Sequence, residues 1–245
     1  MASLFIQRFS QLLLNMATAA QESGLAHRGY TRVPFQQFGG MRERRIHLTF
    51  DDGPHPTYTP ILLEELRHAG IQATFFVMGR HLETSLGQEL IQRAASEGHQ
   101  IGNHTYSHLR LTELTEHQIR YEILKTERLI GDRDKGIKIL RPPYGAYNSL
   151  VDQVALELGY RLVLWNVDTG DWDPNYHDRW VKHAMKQIVT RENSVVLAHD
   201  NQTTTVKRIG AFIAQIQKLP GSSFIGHSEA FPTREKIDSA RPVFA

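Results

Sequence analysis

A regular alternation of short apolar runs with amphipathic segments is the feature that most constrains how this 245-residue chain can fold. From Arg45 onward, β-branched or apolar runs predict strands, and segments with helical spacing of apolar residues follow them. Alternation at this spacing indicates right-handed βαβ units and a mainly parallel sheet. The predicted strands are 45–50, 71–78, 99–103, 137–140, 162–167 and 194–198, with a possible short seventh at 223–225, and the predicted helices are 57–69, 86–97, 115–130, 148–158, 178–191 and 204–218.

The first part of the chain reads differently from the rest. We expect residues 1–44 to be an N-terminal leader or extension and residues 45–245 to be one domain, because α/β barrels commonly use this much chain in a single unit. Arg8 precedes an apolar run, and small residues at 17–19 resemble a signal-peptide cleavage site. Polar residues interrupt that run, however, and its apolar positions also fit an amphipathic helix. A signal peptide would indicate the cell envelope, periplasm or outside of the cell, and otherwise the cytoplasm is expected.

Composition excludes several kinds of protein. The 28 basic and 26 acidic residues give a formal charge of +2, which is too small for a nucleic-acid-binding surface. The chain has no cysteine, so disulfides and thiolate chemistry are excluded and any metal ligands must be His, Asp or Glu. No stretch approaches the roughly 20 apolar residues that a membrane-spanning helix needs. We therefore expect no nucleic-acid partner and no transmembrane segment.

Residues capable of chemistry follow five of the predicted strands. In a parallel α/β barrel the carboxyl ends of all strands open onto one face, so residues far apart in sequence would meet there. Surface polar residues scattered at random would not repeat this placement five times. These residues are Asp51 and Asp52 after the first strand, His104 and His108 after the third, Arg141 after the fourth, Asp168 and Asp171 after the fifth, and His199 after the sixth.

Two of these groups together predict a metal site. Adjacent carboxylates, Asp51 and Asp52, can divide their roles between a metal and a water or substrate, although a plain turn is the alternative. His104 and His108 are four residues apart and would meet on one side of a helical turn. Two imidazole nitrogens and one carboxylate oxygen form an open site for Zn²⁺, with Co²⁺ or Ni²⁺ also acceptable. Isolated pairs of this spacing are common on protein surfaces, but this pair follows a strand.

Two further motifs could supply the remaining chemistry. The segment Arg141-Pro142-Pro143-Tyr144-Gly145 is stiff and suited to aiming Arg141 at a carboxylate and the Tyr144 backbone N–H at the site. A structural proline-rich turn is the alternative. His199 follows a buried strand with carboxylates nearby, which suits a general acid for a leaving amine. A strand-end histidine with a purely structural role is the alternative.

Five motifs of this chain, in the order in which they occur, resemble those of the NodB-homology polysaccharide deacetylases, carbohydrate esterase family 4. They are Thr49-Phe50-Asp51-Asp52-Gly53-Pro54, His104-Thr-x-x-His108, Arg141-x-Pro143-Tyr144, Asp168-x-x-Asp171-Trp172 and Leu197-x-His199. The resemblance covers about residues 45–218. It implies an α/β fold, a distorted (β/α) barrel of about seven parallel strands.

The resemblance also implies a role for each motif residue. Asp51 would be the general base that deprotonates the attacking water, and Arg141 would orient it. His199 would protonate the departing amine with the support of an aspartate, for which Asp168 is preferred to Asp171. The remaining implied roles are metal ligands at Asp52, His104 and His108, an oxyanion donor at the Tyr144 backbone N–H, and substrate contacts from Leu197, Trp172 and Pro143.

The expected activity is metal-dependent removal of N-acetyl groups from an N-acetylglucosamine polymer or oligomer, peptidoglycan or chitin-like, with release of acetate. Amide hydrolysis needs an activated water, charge stabilisation at oxygen and a proton for nitrogen, and the sequence offers a candidate for each. One alternative is hydrolysis of another C–N bond in a small amide or ureide. A second is a carbohydrate-binding protein without activity, against which the intact set of acid, base and ligands argues.

Overall fold

The computed structural model describes residues 43–135 and 137–231. The predicted N-terminal leader or extension, residues 1–44, lies outside the described residues except for Glu43 and Arg44, and the predicted signal peptide or amphipathic N-terminal helix lies outside them entirely. Among the helices that are described, none has both the length and the apolar character needed to cross a membrane.

Eight strands of the described chain form one parallel sheet, as the alternating pattern predicted. In space they follow the order β5-β4-β3-β2-β1-β7-β6, and the short β8 pairs with β1. The possible seventh strand of the sequence is observed as β8. The strands are β1 (Arg44–Gly53), β2 (Thr74–Val77), β3 (Gln100–Asn103), β4 (Ile139–Leu140), β5 (Arg161–Leu162), β6 (Val167–Asp168), β7 (Asn193–His199) and β8 (Ser222–Phe224).

The central strand β1 separates an apolar face from a polar one. Residues 46–51 are all buried, because β1 lies between β7 on one edge and β2 and β8 on the other. Side chains alternate between the two faces of a strand. Ile46, Leu48 and Phe50 join the main hydrophobic core, whereas Thr49 and Asp51 are buried on the opposite face. The polar face of β1 leads directly to the candidate site.

The six predicted helices are observed within three residues of their expected ends. Side-chain caps fix several of them: Thr84 accepts the Gly87 N–H, and Thr115 forms a capping box with Gln118. The helices are α1 (Tyr58–Ala69), α2 (Ser85–Ser96), α3 (Glu116–Ile130), α4 (Ser149–Glu157), α5 (Trp180–Ile188) and α6 (Thr203–Gln217), and a short α7 (His227–Ala230) follows them.

The prediction of one strand over residues 162–167 is wrong, because this segment divides between the two edges of the sheet. Its start lies in β5 beside β4, and its end lies in β6 beside β7. Between them the carbonyl oxygens of Val163 and Leu164 accept hydrogen bonds from the buried Arg141 guanidinium, at 3.2 and 3.3 Å. Five residue steps span no more than about 18 Å, so the two edges stay close. The sheet therefore curls into the expected distorted barrel.

Packing on the core predicts a difference between two leucines on helices. Leu66 is 0% exposed on α1, whereas Leu156 is 70% exposed on α4. Leu66→Ala should lower the free energy of unfolding by about 2–5 kcal/mol, because it removes buried methyl groups and leaves a cavity. Leu156→Ala should change it by less than about 0.5 kcal/mol. Denaturant unfolding measures both, and equal losses would contradict the assigned core.

Candidate active site

The candidate catalytic residues converge at the carboxyl ends of the central strands. Asp51 and His199 are register partners at the ends of β1 and β7. His104 directly follows β3, and the Arg141 N–H donates to the carbonyl of Asn103 at 3.0 Å. The topology therefore brings together residues up to about 150 positions apart, as parallel strands require.

Asp52, His104 and His108 form a cluster that could hold a metal ion. One ligand atom from each lies within 4.8 Å of the others. The Asp52 Oδ1 atom is 3.4 Å from Nε2 of His104 and 3.3 Å from Nε2 of His108. The two histidines meet without the expected helical turn, because residues 104–108 form a loop in which Thr105 and His108 have φ values of 67° and 61°.

The hydrogen bonds of the cluster fit a divalent cation. Nδ1–H of His104 donates to the Arg141 carbonyl at 2.7 Å, which leaves Nε2 as the ligand atom. The Asp52 Oδ1 atom is buried and has no hydrogen-bond partner in the described chain, whereas Oδ2 accepts from Asn201 at 3.3 Å. A buried carboxylate oxygen without a donor is unfavourable, and a bound cation would satisfy it.

Charge in the cluster also suits a metal ligand. Burial alone would raise the pKa of Asp52, but the neighbouring His104, with His199 and His108, holds this pKa well below its usual range. Burial lowers the pKa of His108, and the neighbouring His104 lowers it further. An ionised carboxylate and a neutral imidazole are the forms that bind metals.

Arg141 holds Asp51 beside this cluster. Its guanidinium is fully buried and donates from Nη1 to Asp51 Oδ1 and to Thr49 Oγ1, both at 2.7 Å. It also lies 4.1 Å from the centre of the Phe76 ring. Burial lowers the pKa of Arg141 and the charge of Asp51 opposes this shift. The second oxygen of Asp51, Oδ2, is 3.8 Å from Nε2 of His104 and thus faces the metal cluster.

The prediction that Asp168 supports His199 is wrong, and Asp171 has this position. Asp171 Oδ1 lies 2.8 Å from His199 Nδ1, and its Oδ2 accepts the His199 backbone N–H at 2.7 Å. The turn at Gly170, which has a φ of 67°, brings Asp171 back toward β7. Asp168 instead accepts the Gly170 N–H within that turn, at 2.9 Å.

Asp171 gives His199 the character of an acid. Burial alone would lower the pKa of His199, but the hydrogen bond and charge of Asp171, with Asp51 and Asp52, raise it to about 9. Asp171 is itself fully buried and accepts the hydroxyl of Thr205. Because Nδ1 of His199 faces Asp171, the imidazole presents Nε2 on its other side.

The four remaining predicted residues lie within three residues of Arg141, Asp171 or His199 in the sequence. Tyr144 is 59% exposed, has a φ of 61°, and its ring lies 4.7 Å from that of His108. Trp172 is 53% exposed and follows Asp171 directly. Pro143 and Leu197 are buried. Their contacts with substrate, and the use of the Tyr144 N–H, stay predictions.

Several neighbours of the site are not among the residues predicted from the sequence. Asp200 is fully buried with Oδ2 accepting from Thr59 at 2.6 Å, and burial together with the charge of Asp52 raises its pKa to about 7. A Cβ at Gly53 would overlap the Asp200 carboxylate, which explains the glycine after the paired aspartates. In the sequence, only its position next to His199 points to Asp200, and this position does not predict that the side chain is buried. The Arg110 guanidinium lies 4.6 Å from the centre of the Tyr144 ring, and no motif in the sequence indicates this contact.

Known proteins identify the family of this chain. The sequence profile of the family described as Polysaccharide deacetylase matches residues 39–163, just over half of the chain. The chain belongs to the polysaccharide deacetylase family. This confirms the resemblance to the NodB-homology polysaccharide deacetylases. The expected α/β barrel fold is confirmed as well. A solved structure with the same fold is the family 4 carbohydrate esterase from Streptomyces lividans in complex with acetate, with a TM-score of 0.66, 30% identity, and coverage of 74% of this chain and 91% of that one.

Two curated relatives extend the comparison of this chain. The chain is 34% identical over 202 residues to the Peptidoglycan-N-acetylglucosamine deacetylase PgdA of Listeria monocytogenes, an alignment that covers 82% of this chain and 41% of that protein. It is 35% identical over 171 residues to a Chitooligosaccharide deacetylase of Rhizobium leguminosarum bv. trifolii, covering 69% of this chain and 77% of the relative. The chain thus spans about two fifths of the length of the Listeria relative.

The pairing of His199 with Asp171 predicts different effects of two aspartate substitutions. Asp171→Asn should lower the pKa of His199, because it removes the carboxylate that favours the imidazolium. Asp168→Asn is the matched control and should leave this pKa unchanged. NMR titration of the metal-free protein measures both. A larger shift in the Asp168 variant would reverse the assignment.

Proposed function

We propose that this chain hydrolyses N-acetyl groups on an N-acetylglucosamine-containing polysaccharide, peptidoglycan or chitin-like, and releases acetate. The observation that carries this proposal is the placement of two proton-transfer groups beside the cluster of Asp52, His104 and His108. Asp51 is held by Arg141, and His199 is held by Asp171. The names of the relatives, which are deacetylases of peptidoglycan and of chitooligosaccharides, support N-acetylglucosamine as the acylated sugar.

A divalent metal, Zn²⁺ in the first place and Co²⁺ or Ni²⁺ as alternatives, is part of this proposal. Asp52, His104 and His108 would hold it through one oxygen and two Nε2 atoms. When bound, such an ion lowers the pKa of water toward neutrality and polarises the amide carbonyl.

The residues of the chain supply the proton transfers. Oδ1 of Asp51 is occupied by Arg141, so Oδ2 is the oxygen that would take the proton of the attacking water. Nε2 of His199 would return a proton to the departing amine, since Nδ1 faces Asp171. Each transfer is worth about 10²–10⁴-fold in rate. We further propose that the Tyr144 backbone N–H stabilises the oxyanion.

Substrate contacts complete the proposal. Leu197 and Pro143 are buried apolar residues two positions from His199 and Arg141 in the sequence, and Trp172 offers an exposed aromatic surface. We assign the acetyl methyl group to a pocket formed by Leu197 and Trp172, with Pro143 in contact with the substrate. An aromatic side chain with one exposed face can pack against the apolar face of a sugar ring.

Substitution of the proposed base separates chemistry from metal binding. Asp51→Asn should lower acetate release by at least about 100-fold, because the amide cannot accept the proton of water. It should leave bound zinc near one equivalent, because Asp51 is outside the ligand cluster. Asp168→Asn, which changes a carboxylate at a neighbouring strand end, is the control and should keep most of the activity.

The assay uses peptidoglycan, chitooligosaccharides, acetylxylan and small amides, with metal added back to chelated protein. Acetate release from the N-acetylglucosamine polymers, lost on chelation and restored by metal, is the expected result. Full activity of the Asp51 variant would refute the base assignment. Hydrolysis of small amides alone would replace the proposed function with the hydrolysis of a small amide or ureide.

A further inference from the structure

The loop between the two metal-binding histidines is held by side-chain acceptors along its whole length. Each backbone N–H from residue 105 to residue 108 donates to a side-chain oxygen. The bonds are Thr105 to Asn103 Oδ1 at 2.8 Å, Tyr106 and Ser107 to Glu122 Oε2 at 2.9 and 2.8 Å, and His108 to Thr105 Oγ1 at 3.2 Å. Carbonyl oxygens of Thr105 and Tyr106 also accept from Gly79 and Arg80.

Glu122 makes the largest contribution to this network. It lies on the buried side of α3 between Ile119 and Thr126 and is 4% exposed. Oε2 accepts the two backbone N–H groups, and Oε1 accepts the Ser107 hydroxyl at 2.6 Å. In residues 43–135 and 137–231 we find no ion pair of Glu122 with a basic side chain. A buried carboxylate is unfavourable unless it is hydrogen-bonded. The three side-chain hydrogen bonds of Glu122 described here all go to the loop between His104 and His108.

The loop needs this support because its backbone is strained. Thr105 and His108 both lie in the left-handed region, which is rare for residues other than glycine and especially for a β-branched residue. Such conformations persist only where the surrounding structure enforces them. Without Glu122 the N–H groups of Tyr106 and Ser107 would be unpaired, and the loop could relax at its His108 end.

We propose that Glu122 is a positioning residue for the metal site. By binding the loop between His104 and His108, it fixes the separation of their two Nε2 atoms. Groups beyond the ligands themselves commonly set metal affinity in this way. The inference rests on the metal site of the proposed function, but it concerns binding of the ion and does not require that any particular glycan is the substrate.

Zinc affinity of the full chain, measured by competition with a chromophoric chelator, tests this inference. Glu122→Leu keeps much of the volume and removes both acceptors, so it should weaken zinc binding by about 10–100-fold. Glu122→Asp keeps the charge but is one methylene shorter, so it should weaken binding as well. Glu122→Gln retains an acceptor for the two N–H groups and should bind within about threefold of the parent chain.

A matched variant separates positioning from stability. Ile119→Val removes a buried methyl group from the same helix and should lower the thermal midpoint in chelator, but it should leave zinc affinity within about twofold. If Glu122→Leu and Glu122→Asp also bind zinc within about twofold of the parent, the inference is wrong, because Glu122 is then only structural. If the Leu variant fails to fold, the Asp and Gln variants decide. Zinc binding that survives loss of His104 would instead refute the metal site itself.

Discussion

The buried guanidinium of Arg141 connects the barrel to the site. It binds Thr49 and Asp51 at the end of the central strand, and its other nitrogens bind two carbonyl oxygens in the segment that joins the edge strands. A desolvated charge of this kind requires all of its partners, and loss of one partner of a buried pair commonly costs about 3–5 kcal/mol. Arg141 therefore couples the curvature of the sheet to the orientation of the proposed base.

The site contains two ion pairs of opposite arrangement and a cluster of three candidate metal ligands. In one pair a cation, Arg141, fixes a carboxylate, and in the other an anion, Asp171, fixes an imidazole. In the cluster, Asp52 and two histidines bring three ligand atoms within 4.8 Å of one another. Helix α3 supports the loop that carries the two histidines. Its Ile123 carbonyl accepts from Nδ2 of Asn103, and its Glu122 side chain accepts the Tyr106 N–H. Buried hydrogen bonds thus hold each proposed proton-transfer group, an arrangement that suits preorganised catalysis.

Much of this arrangement could be predicted because parallel strands end on one face. The alternation of strands and helices, and the positions of Asp51, His104 and His199 at strand ends, predict from the sequence that these residues lie close together. The division of residues 162–167 between two edges could not be predicted, because it depends on Arg141 reaching across the barrel. Asp171 rather than Asp168 contacts His199 because of one left-handed turn at Gly170, which the sequence does not predict. Glu122 does fall on the apolar stripe of α3, but the sequence does not say what such a carboxylate contacts.

A crystal structure of the zinc-soaked protein, with data recorded at the zinc absorption edge, tests the central claim most directly. The expected result is one strong anomalous peak bonded to an Asp52 oxygen and to Nε2 of His104 and His108, at about 2.0–2.2 Å. A peak at another position would contradict the metal site. So would saturating zinc that leaves this cluster without an anomalous peak.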